Sequence, residues 1–169
     1  SEPDKARRIN AEAVGVLAEE ANRLDAWLVH YSTDYVFDGE KNGSYLEDDL
    51  PNPLSVYGLT KLEGETRIRK RHAKHFIFRT SWVFAARGNN FAKTMLRLAK
   101  ERETFNVIAD QHGAPTSAEL LADVTALALH RTLYKERPAS LAGTYHVVAR
   151  GETTWHDYAR YVIAVEIGR

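Results

Sequence analysis

Two stretches of the sequence carry side chains that together could transfer a proton. Ser32, Thr33 and Asp34 directly follow an apolar run, and Tyr57 and Lys61 stand four positions apart further along the chain. A lysine ammonium near a tyrosine lowers the pKa of the phenol towards neutrality, so that the phenol can donate its proton to a carbonyl oxygen. A threonine hydroxyl could hold that oxygen, and a nicotinamide cofactor would have to supply the hydride.

The same residues also allow an ordinary structural interpretation. The chain has 8 tyrosines, so one Tyr-x-x-x-Lys pair arises easily by chance. Tyr57 could be a surface aromatic with Lys61 as its solvated neighbour, and Thr33 and Asp34 could merely form a turn after a strand. The spacing alone leaves both interpretations open.

Helix-like and strand-like segments alternate around these residues. Amphipathic spacing predicts helices at 4–24, 54–72, 89–102, 117–134 and 153–166. Short apolar and β-branched runs predict strands at 26–32, 75–81, 104–109 and 143–149. In the first helix, the apolar residues that share a face and are expected to be covered are Ile9, Ala13, Val16, Leu17 and Leu24.

This alternation predicts an α/β fold, a Rossmann-like doubly wound sheet that is mostly parallel. Ligands of such folds bind at the carboxyl ends of the strands, which is where Thr33 follows its strand. We expect residues 1–85 to form the second half of a dinucleotide-binding domain that carries the Thr, Tyr and Lys trio. Residues 86–169 are expected to be a mixed region, partly a small C-terminal substrate domain and partly strands of the sheet.

The composition is that of a globular protein of ordinary polarity. Basic and acidic residues balance at 23 each, so no charged block predicts a nucleic-acid partner. No apolar stretch is long enough to predict a membrane span. The absence of cysteine excludes disulfides and thiolate metal sites, and it fits a cytoplasmic location. The 7 histidines lack the spacing of metal ligands, so no metal site is expected.

Six longer blocks carry a more specific signal. They are STDYVFDG (32–39), PLSVYGLTKLEGE (53–65), FRTSWVF (78–84), GNNFAKTMLRLAKE (88–101), DQHGAPTSAELLAD (110–123) and GTYHVVARGETTWHDYA (143–159). Together they resemble the dTDP-4-dehydrorhamnose reductase family of the extended short-chain dehydrogenases/reductases, over nearly the whole chain. The resemblance implies reduction of the C4 ketone of dTDP-4-dehydro-L-rhamnose by NADPH or NADH, a step that supplies rhamnose for bacterial surface polysaccharide.

The resemblance also implies roles for individual residues. Tyr57 matches the proton donor, Lys61 its pKa partner and a ligand of the cofactor ribose, and Thr33 the catalytic hydroxyl beside them. Ser32 and Asn10 are implied on the cofactor side, although Asn10 could equally be an ordinary polar residue of a helix.

A second set of residues is implied on the substrate side. Its members are Thr33, Asp34, Tyr35, Val36, Trp82, Asn89, Asn90, Gln111 and Thr116. Structural alternatives stay open for several of them. Trp82 could be a core aromatic, the two asparagines could cap a helix, and the loop around Gln111 could exist for its turn.

The chain departs from the family pattern in one important respect. The family begins with a strand and a glycine-rich turn that binds the cofactor pyrophosphate, and no such motif occurs among the 10 glycines here. Against the family, the chain starts late and stops early, so it is expected to lack the N-terminal glycine-rich βαβ part. By itself it is then expected to bind NADPH weakly, to have no useful turnover, and to expose apolar surface.

Other properties stay open at this point. The resemblance allows a homodimer, and it allows Mg²⁺, for which the acidic run Glu47, Asp48 and Asp49 is a weak candidate. An NDP-sugar dehydratase or epimerase of the same superfamily is an alternative, although dehydratases carry Asp-Glu where this chain has Asp34-Tyr35. A non-catalytic subunit resembling the regulatory subunit of methionine adenosyltransferase is another, and the intact trio argues against it.

Overall fold

The computed structural model describes residues 2–134 and 138–167. The helices are α1 (Pro3–Arg7), α2 (Ala13–Arg23), α3 (Val56–Arg71), α4 (Phe91–Glu101), α5 (Ala118–Tyr134) and α6 (Trp155–Ile167). The strands are β1 (Leu28–Thr33), β2 (His75–Thr80), β3 (Val83–Phe84), β4 (His112–Gly113), β5 (Thr116–Ser117), β6 (Gly143–His146) and β7 (Thr153–Thr154). None of these helices is long and apolar enough to cross a membrane.

The chain divides into two compact units, which are described one at a time. Unit 1 comprises Ser1–Thr80 and Val124–Val147, and unit 2 comprises Ser81–Asp123 and Val148–Arg169. The units interleave along the sequence, because the chain leaves unit 1 after β2 and returns to it within α5. The assignment of one part to the cofactor and the other to the substrate stays a prediction.

A three-stranded parallel sheet in the order β1-β2-β6 forms the centre of unit 1. This confirms the predicted parallel sheet. The register places Thr33 beside Thr80 and Ser32 beside Arg79, at the carboxyl ends of their strands. Helices α2 and α3 cover one face of the sheet, where Val14, Ala18, Ile68 and Ile77 form the buried apolar core.

The first helix buries a different face from the one expected. Small residues lie against α3, with Ala11, Val14 and Ala18 buried. The residues of the predicted face are exposed, and they are Ile9, Ala13, Val16, Leu17 and Leu24. The exposed side chains agree with the expectation that the chain exposes apolar surface. The buried face is the one with small side chains, because the glycines of α2 and α3 allow a close helix contact that only small side chains fit.

Unit 2 has little regular sheet. The strands β3 and β5 pair in parallel and β4 and β7 pair antiparallel, each over two residues. The strand predicted at 104–109 is wrong, since this segment has no regular structure and pairs with no described strand. Its β-branched residues supply propensity, but a strand needs a neighbour to complete its hydrogen bonds.

Candidate active site

Thr33 ends β1 and begins the turn that follows it. The side chain is buried, and its hydroxyl oxygen accepts a hydrogen bond from the backbone N–H of Tyr35 at 3.2 Å. The same hydroxyl donates to Oδ1 of Asp34 at 3.0 Å. Burial raises the pKa of Asp34, and the hydrogen bond from Thr33 acts in the opposite direction. Thr33 therefore has a fixed position with a neighbouring carboxylate as its partner.

Tyr57 lies in the first turn of α3. Ser55 caps this helix by accepting from the N–H of Gly58 at 3.1 Å, which fixes where α3 begins. The Tyr57 ring is 48% exposed and meets the ring of Tyr35 edge-on, with centroids 5.9 Å apart. Burial raises the pKa of Tyr57, and the nearby hydroxyl of Thr33 works against this rise. The structure thus brings Thr33 and Tyr57 together, as the sequence predicted.

Lys61 has a different environment from the one predicted. Its ammonium donates to the backbone carbonyl of Tyr31 at 2.6 Å and lies 3.3 Å from Nε2 of His30. Burial lowers the pKa of Lys61, while the charge of Glu65 acts against that shift. In this structure burial raises the pKa of Tyr57, and the role of Lys61 as its pKa partner stays a prediction.

His30 is a neighbour of the site that the sequence interpretation missed. Burial, and after it the charge of Lys61, lower the pKa of His30 to about 4. A neutral ring can accept a hydrogen bond from the ammonium through Nε2. Strand alternation could have indicated this residue, because it places His30 on the same face of β1 as Ser32.

Two residues predicted to bind the cofactor, Asn10 and Ser32, instead form hydrogen bonds to side chains of α3. Asn10 lies in a π-helical turn (Arg8–Glu12) between α1 and α2, and its amide donates to Oγ1 of Thr60 at 3.1 Å. Thr60 in turn donates to the backbone carbonyl of Tyr57 at 3.0 Å. Ser32 is buried, and its hydroxyl donates to Oε1 of Glu65 at 2.5 Å. Both side chains therefore fix α3, the helix that carries Tyr57 and Lys61.

The residues predicted on the substrate side fall into exposed and buried groups. In unit 1, Tyr35 is 46% exposed, whereas Val36 is fully buried. In unit 2, Asn89 and Gln111 are exposed. Asn90 caps α4 by accepting from the N–H of Lys93 at 3.1 Å, as its structural alternative proposed.

Thr116, which was predicted to bind the substrate, is buried in unit 2 and hydrogen-bonded to the backbone. Its side chain is fully buried, and its hydroxyl donates to the carbonyl of Ala114 at 3.0 Å. The same oxygen accepts from the N–H of Ala149 at 3.2 Å. These contacts hold the loop around β5 and leave the side chain of Thr116 without exposed surface.

Trp82 has an unusual conformation in unit 2. Its φ of 47° lies in the left-handed region, which is costly for a residue with a Cβ and is often retained at functional sites. The ring stacks on Trp155 with centroids 3.6 Å apart and planes 14° apart. A Cβ on Gly113 would lie 2.5 Å from the Trp82 ring, so that only glycine fits there.

The residues present suit only one end of a dinucleotide. The phenol of Tyr57 and the ammonium of Lys61 are groups that can hydrogen-bond a ribose. The sequence has no glycine-rich turn of the G-x-G-x-x-G kind for a pyrophosphate. Within residues 2–134 and 138–167, no group of three or more acidic or histidine side chains could hold a metal ion. Asp49 pairs with Lys41, and Glu47 accepts from the N–H of His146.

The chain has a parallel sheet with a threonine at a strand end, and the next long helix carries Tyr-x-x-x-Lys. These features define it as a Rossmann-like protein of the extended short-chain dehydrogenase/reductase type. The family model described as the RmlD substrate binding domain matches residues 1–167. The chain belongs to this family.

Relatives of the chain include proteins named dTDP-4-dehydrorhamnose reductase. The chain is 58% identical over 162 residues to the dTDP-4-dehydrorhamnose reductase of Salmonella typhimurium strain LT2, and the match covers 96% of this chain and 53% of that protein. The crystal structure of the Bacillus anthracis dTDP-4-dehydrorhamnose reductase in complex with NADP matches with a TM-score of 0.90 at 40% identity, over 98% of this chain and 56% of that one.

A more distant solved structure shares the fold alone. A mutant form of the UDP-glucuronic acid 4-epimerase of Bacillus cereus matches with a TM-score of 0.77 at 23% identity, over 95% of this chain and 52% of that one. The chain thus spans about half the length of the curated relatives it matches.

Proposed function

We propose that this chain supplies the proton-donating half of an NADPH- or NADH-dependent reductase that converts the C4 ketone of dTDP-4-dehydro-L-rhamnose to the alcohol of dTDP-L-rhamnose. The observation that carries the proposal is that the side chains of Tyr57 and Thr33 lie near each other at the carboxyl end of β1. The names of the relatives, and the NADP in the Bacillus anthracis structure, support the same reaction.

The protonation state of Tyr57 suits an acid. At neutral pH the phenol carries the proton that it would donate to the ketone oxygen, and the raised pKa makes it a weaker acid until a cation stabilises the phenolate. A reduced nicotinamide, when bound, supplies the hydride for C4. The C=O bond becomes C–O–H, and Tyr57 is left as a phenolate. A cationic Lys61 would stabilise that phenolate if its ammonium turned from the Tyr31 carbonyl towards Tyr57.

Thr33 is proposed to hold the ketone oxygen during this step. Its hydroxyl now donates to Asp34, so a rotation of the hydroxyl about the Cβ–Oγ1 bond would redirect that hydrogen to the substrate. Tyr57 and Lys61 would hold the ribose next to the nicotinamide. Ser32 and Asn10 contribute in this proposal through the scaffold contacts that fix α3.

The substrate side of the proposal rests on the exposed members of the predicted set. Tyr35 in unit 1 and Trp82, Asn89 and Gln111 in unit 2 are accessible to a nucleotide sugar, Trp82 in part. The other members hold loops in place, since Val36 and Thr116 are fully buried and Asn90 caps α4.

Two further predictions accompany the proposed reductase, and two alternatives to it are less favoured. A homodimer and a cytoplasmic location remain expectations from the resemblance and the composition. The dehydratase or epimerase alternative is less favoured, because the epimerase likeness is one of fold alone. The intact trio of Thr33, Tyr57 and Lys61 argues against a non-catalytic subunit.

The deciding experiment removes the phenolic hydroxyl in the complete protein that contains this sequence. Tyr57→Phe is expected to lower kcat for NADPH oxidation with the dehydrorhamnose substrate by about 10²–10⁴-fold, because general acid catalysis contributes that much. Tyr161→Phe, at a 68% exposed position on α6, is the matched control and should keep the rate. Absence of turnover in the parent protein, or full activity of Tyr57→Phe, would refute the proposal.

A further inference from the structure

Glu65 is a fully buried carboxylate on the helix of the catalytic candidates. It lies one helical turn after Lys61 on α3, and four hydrogen bonds end on its two oxygens. Oε1 accepts from Oγ of Ser32 at 2.5 Å and from Nε of Arg79 at 3.0 Å. Oε2 accepts from Nη2 of Arg79 at 2.8 Å and from Nη1 of Arg69 at 3.0 Å. One carboxylate therefore binds three side chains.

These contacts join three elements of unit 1 at one point. Ser32 belongs to β1 and Arg79 to β2, and the two are partners in the parallel register. Glu65 and Arg69 belong to α3. The junction lies one residue before Thr33 and one helical turn after Lys61, so it fixes the strand of one catalytic candidate against the helix of another.

Stability alone does not account for this ion pair. Arg79 is 4% exposed and Glu65 is 0% exposed, so both charges have lost their hydration. Apolar residues of similar volume often stabilise a protein as well as a buried ion pair does. What a buried pair provides, and an apolar contact does not, is a fixed direction for each hydrogen bond. A role in geometry is therefore the better explanation.

The charge of Glu65 also reaches the neighbours of the site. Burial by itself would raise the pKa of Glu65, but the hydrogen bonds from Arg79 and Ser32 bring it below its ordinary value, so the carboxylate is ionised. That negative charge opposes the effect of burial on Lys61 and helps to keep the ammonium protonated.

We infer that Glu65 is a positioning residue of the reductase, whose carboxylate, through Ser32, holds the end of β1 and its Thr33 in register with Tyr57 and Lys61 on α3. The inference rests on the proposed function. Glu65 touches neither substrate nor cofactor in this role. It acts through the backbone of β1, because the bond from Ser32 fixes the residue directly before Thr33.

Two single substitutions separate this role from a structural one. Ser32→Ala in the complete protein removes the bond between β1 and the carboxylate, and leaves the pair between Glu65 and Arg79 in place. Arg69→Ala removes one bond to the same carboxylate from within α3, and is the matched control. Ser32→Ala is expected to lower kcat at least tenfold with both KM values within about twofold, whereas Arg69→Ala should keep kcat within about twofold. Ser32→Thr, which restores the hydroxyl, should recover most of kcat.

A measurement without turnover keeps this inference distinct from the proposed function. In protein with labelled tyrosine rings, the Tyr57 NMR resonance, assigned from Tyr57→Phe, should shift in Ser32→Ala and stay in place in Arg69→Ala. This shift supports the positioning role even if the parent protein shows no reductase activity. Three outcomes would overturn the inference. The two alanine variants could have equal effects on both kcat and the resonance, or Ser32→Ala could worsen KM alone. In the third, Ser32→Thr folds but recovers none of the lost kcat.

Discussion

The two units of the chain hold their candidate residues by different physical means. In unit 1, Thr33 ends β1, and Tyr57 and Lys61 lie on α3. Hydrogen bonds join this helix to β1, and a buried ion pair joins it to β2. In unit 2, Trp82 lies next to a two-residue strand and is held by stacking on Trp155 and by the close backbone of Gly113. Hydrogen bonds fix the direction in which a side chain points, whereas ring stacking fixes where a ring lies through close packing.

The difference matches what each group would have to do. A proton donor must point its hydrogen at one oxygen, so a directional scaffold is appropriate for Tyr57. An aromatic ring that packs against a sugar or base needs a large contact area in a fixed position, and it tolerates small rotations of the ring. Each unit should accordingly fail in its own way when its contacts are removed.

The largest effect is expected from the ring stack of unit 2. Trp155→Ala removes the ring that covers Trp82 at 3.6 Å and Phe91 at 4.2 Å, and should lower the free energy of unfolding by about 3–5 kcal/mol. Urea unfolding followed by tryptophan fluorescence measures it. Tyr161→Ala, on the exposed side of α6, is the control and should change little. A loss below about 1 kcal/mol would mean that stacking does not hold Trp82.

Local signals predicted unit 1 better than unit 2. The helix predicted at 54–72 is observed as Val56–Arg71, because Ser55 caps its start and its last turn is basic. The strand predicted at 75–81 is observed as His75–Thr80. The strand predicted at 104–109 is wrong because strand formation depends on a partner, which no local pattern specifies.

In the candidate site too, the sequence predicted local features but not contacts that depend on packing. The sequence identified Thr33 and Tyr57 correctly as neighbours, since a strand end and a first helical turn are local features. It could not predict that the Lys61 ammonium lies on the Tyr31 carbonyl, because that contact depends on the packing of α3 against β1. Glu65 could have been found, as it stands four residues after Lys61 on the same helical face.

A second prediction tests whether the scaffold of unit 1 depends on the close contact of its helices. A Cβ on Gly64 would lie 2.2 Å from the backbone oxygen of Asn10. Gly64→Ala should therefore destabilise the chain by about 1–3 kcal/mol, although alanine favours helices more than glycine does. Urea unfolding measures the loss.

The matched control for this prediction is a glycine on the facing helix. A Cβ on Gly15 would meet only the flexible side chain of Arg67, at 3.2 Å. Gly15→Ala should therefore be neutral or slightly stabilising. If both variants lose the same stability, the contact between Gly64 and Asn10 has no special importance.

The smallest effect is expected from His30, whose titration reports how far the polar scaffold of unit 1 depends on pH. Its pKa falls from an ordinary 6.5 to about 4 in the folded chain, so between these values the unfolded chain binds a proton that the folded chain does not. Stability should fall as the pH drops through this window, by about 1 kcal/mol near pH 5.5 from this histidine alone. His30→Asn should flatten the slope in urea unfolding between pH 7 and about 5, and His130→Asn, at an exposed position on α5, should leave it as it is. If stability falls equally steeply with pH in His30→Asn and in the parent chain, His30 is not held neutral beside Lys61. The polar contacts of unit 1 would then depend less on burial than the geometry indicates.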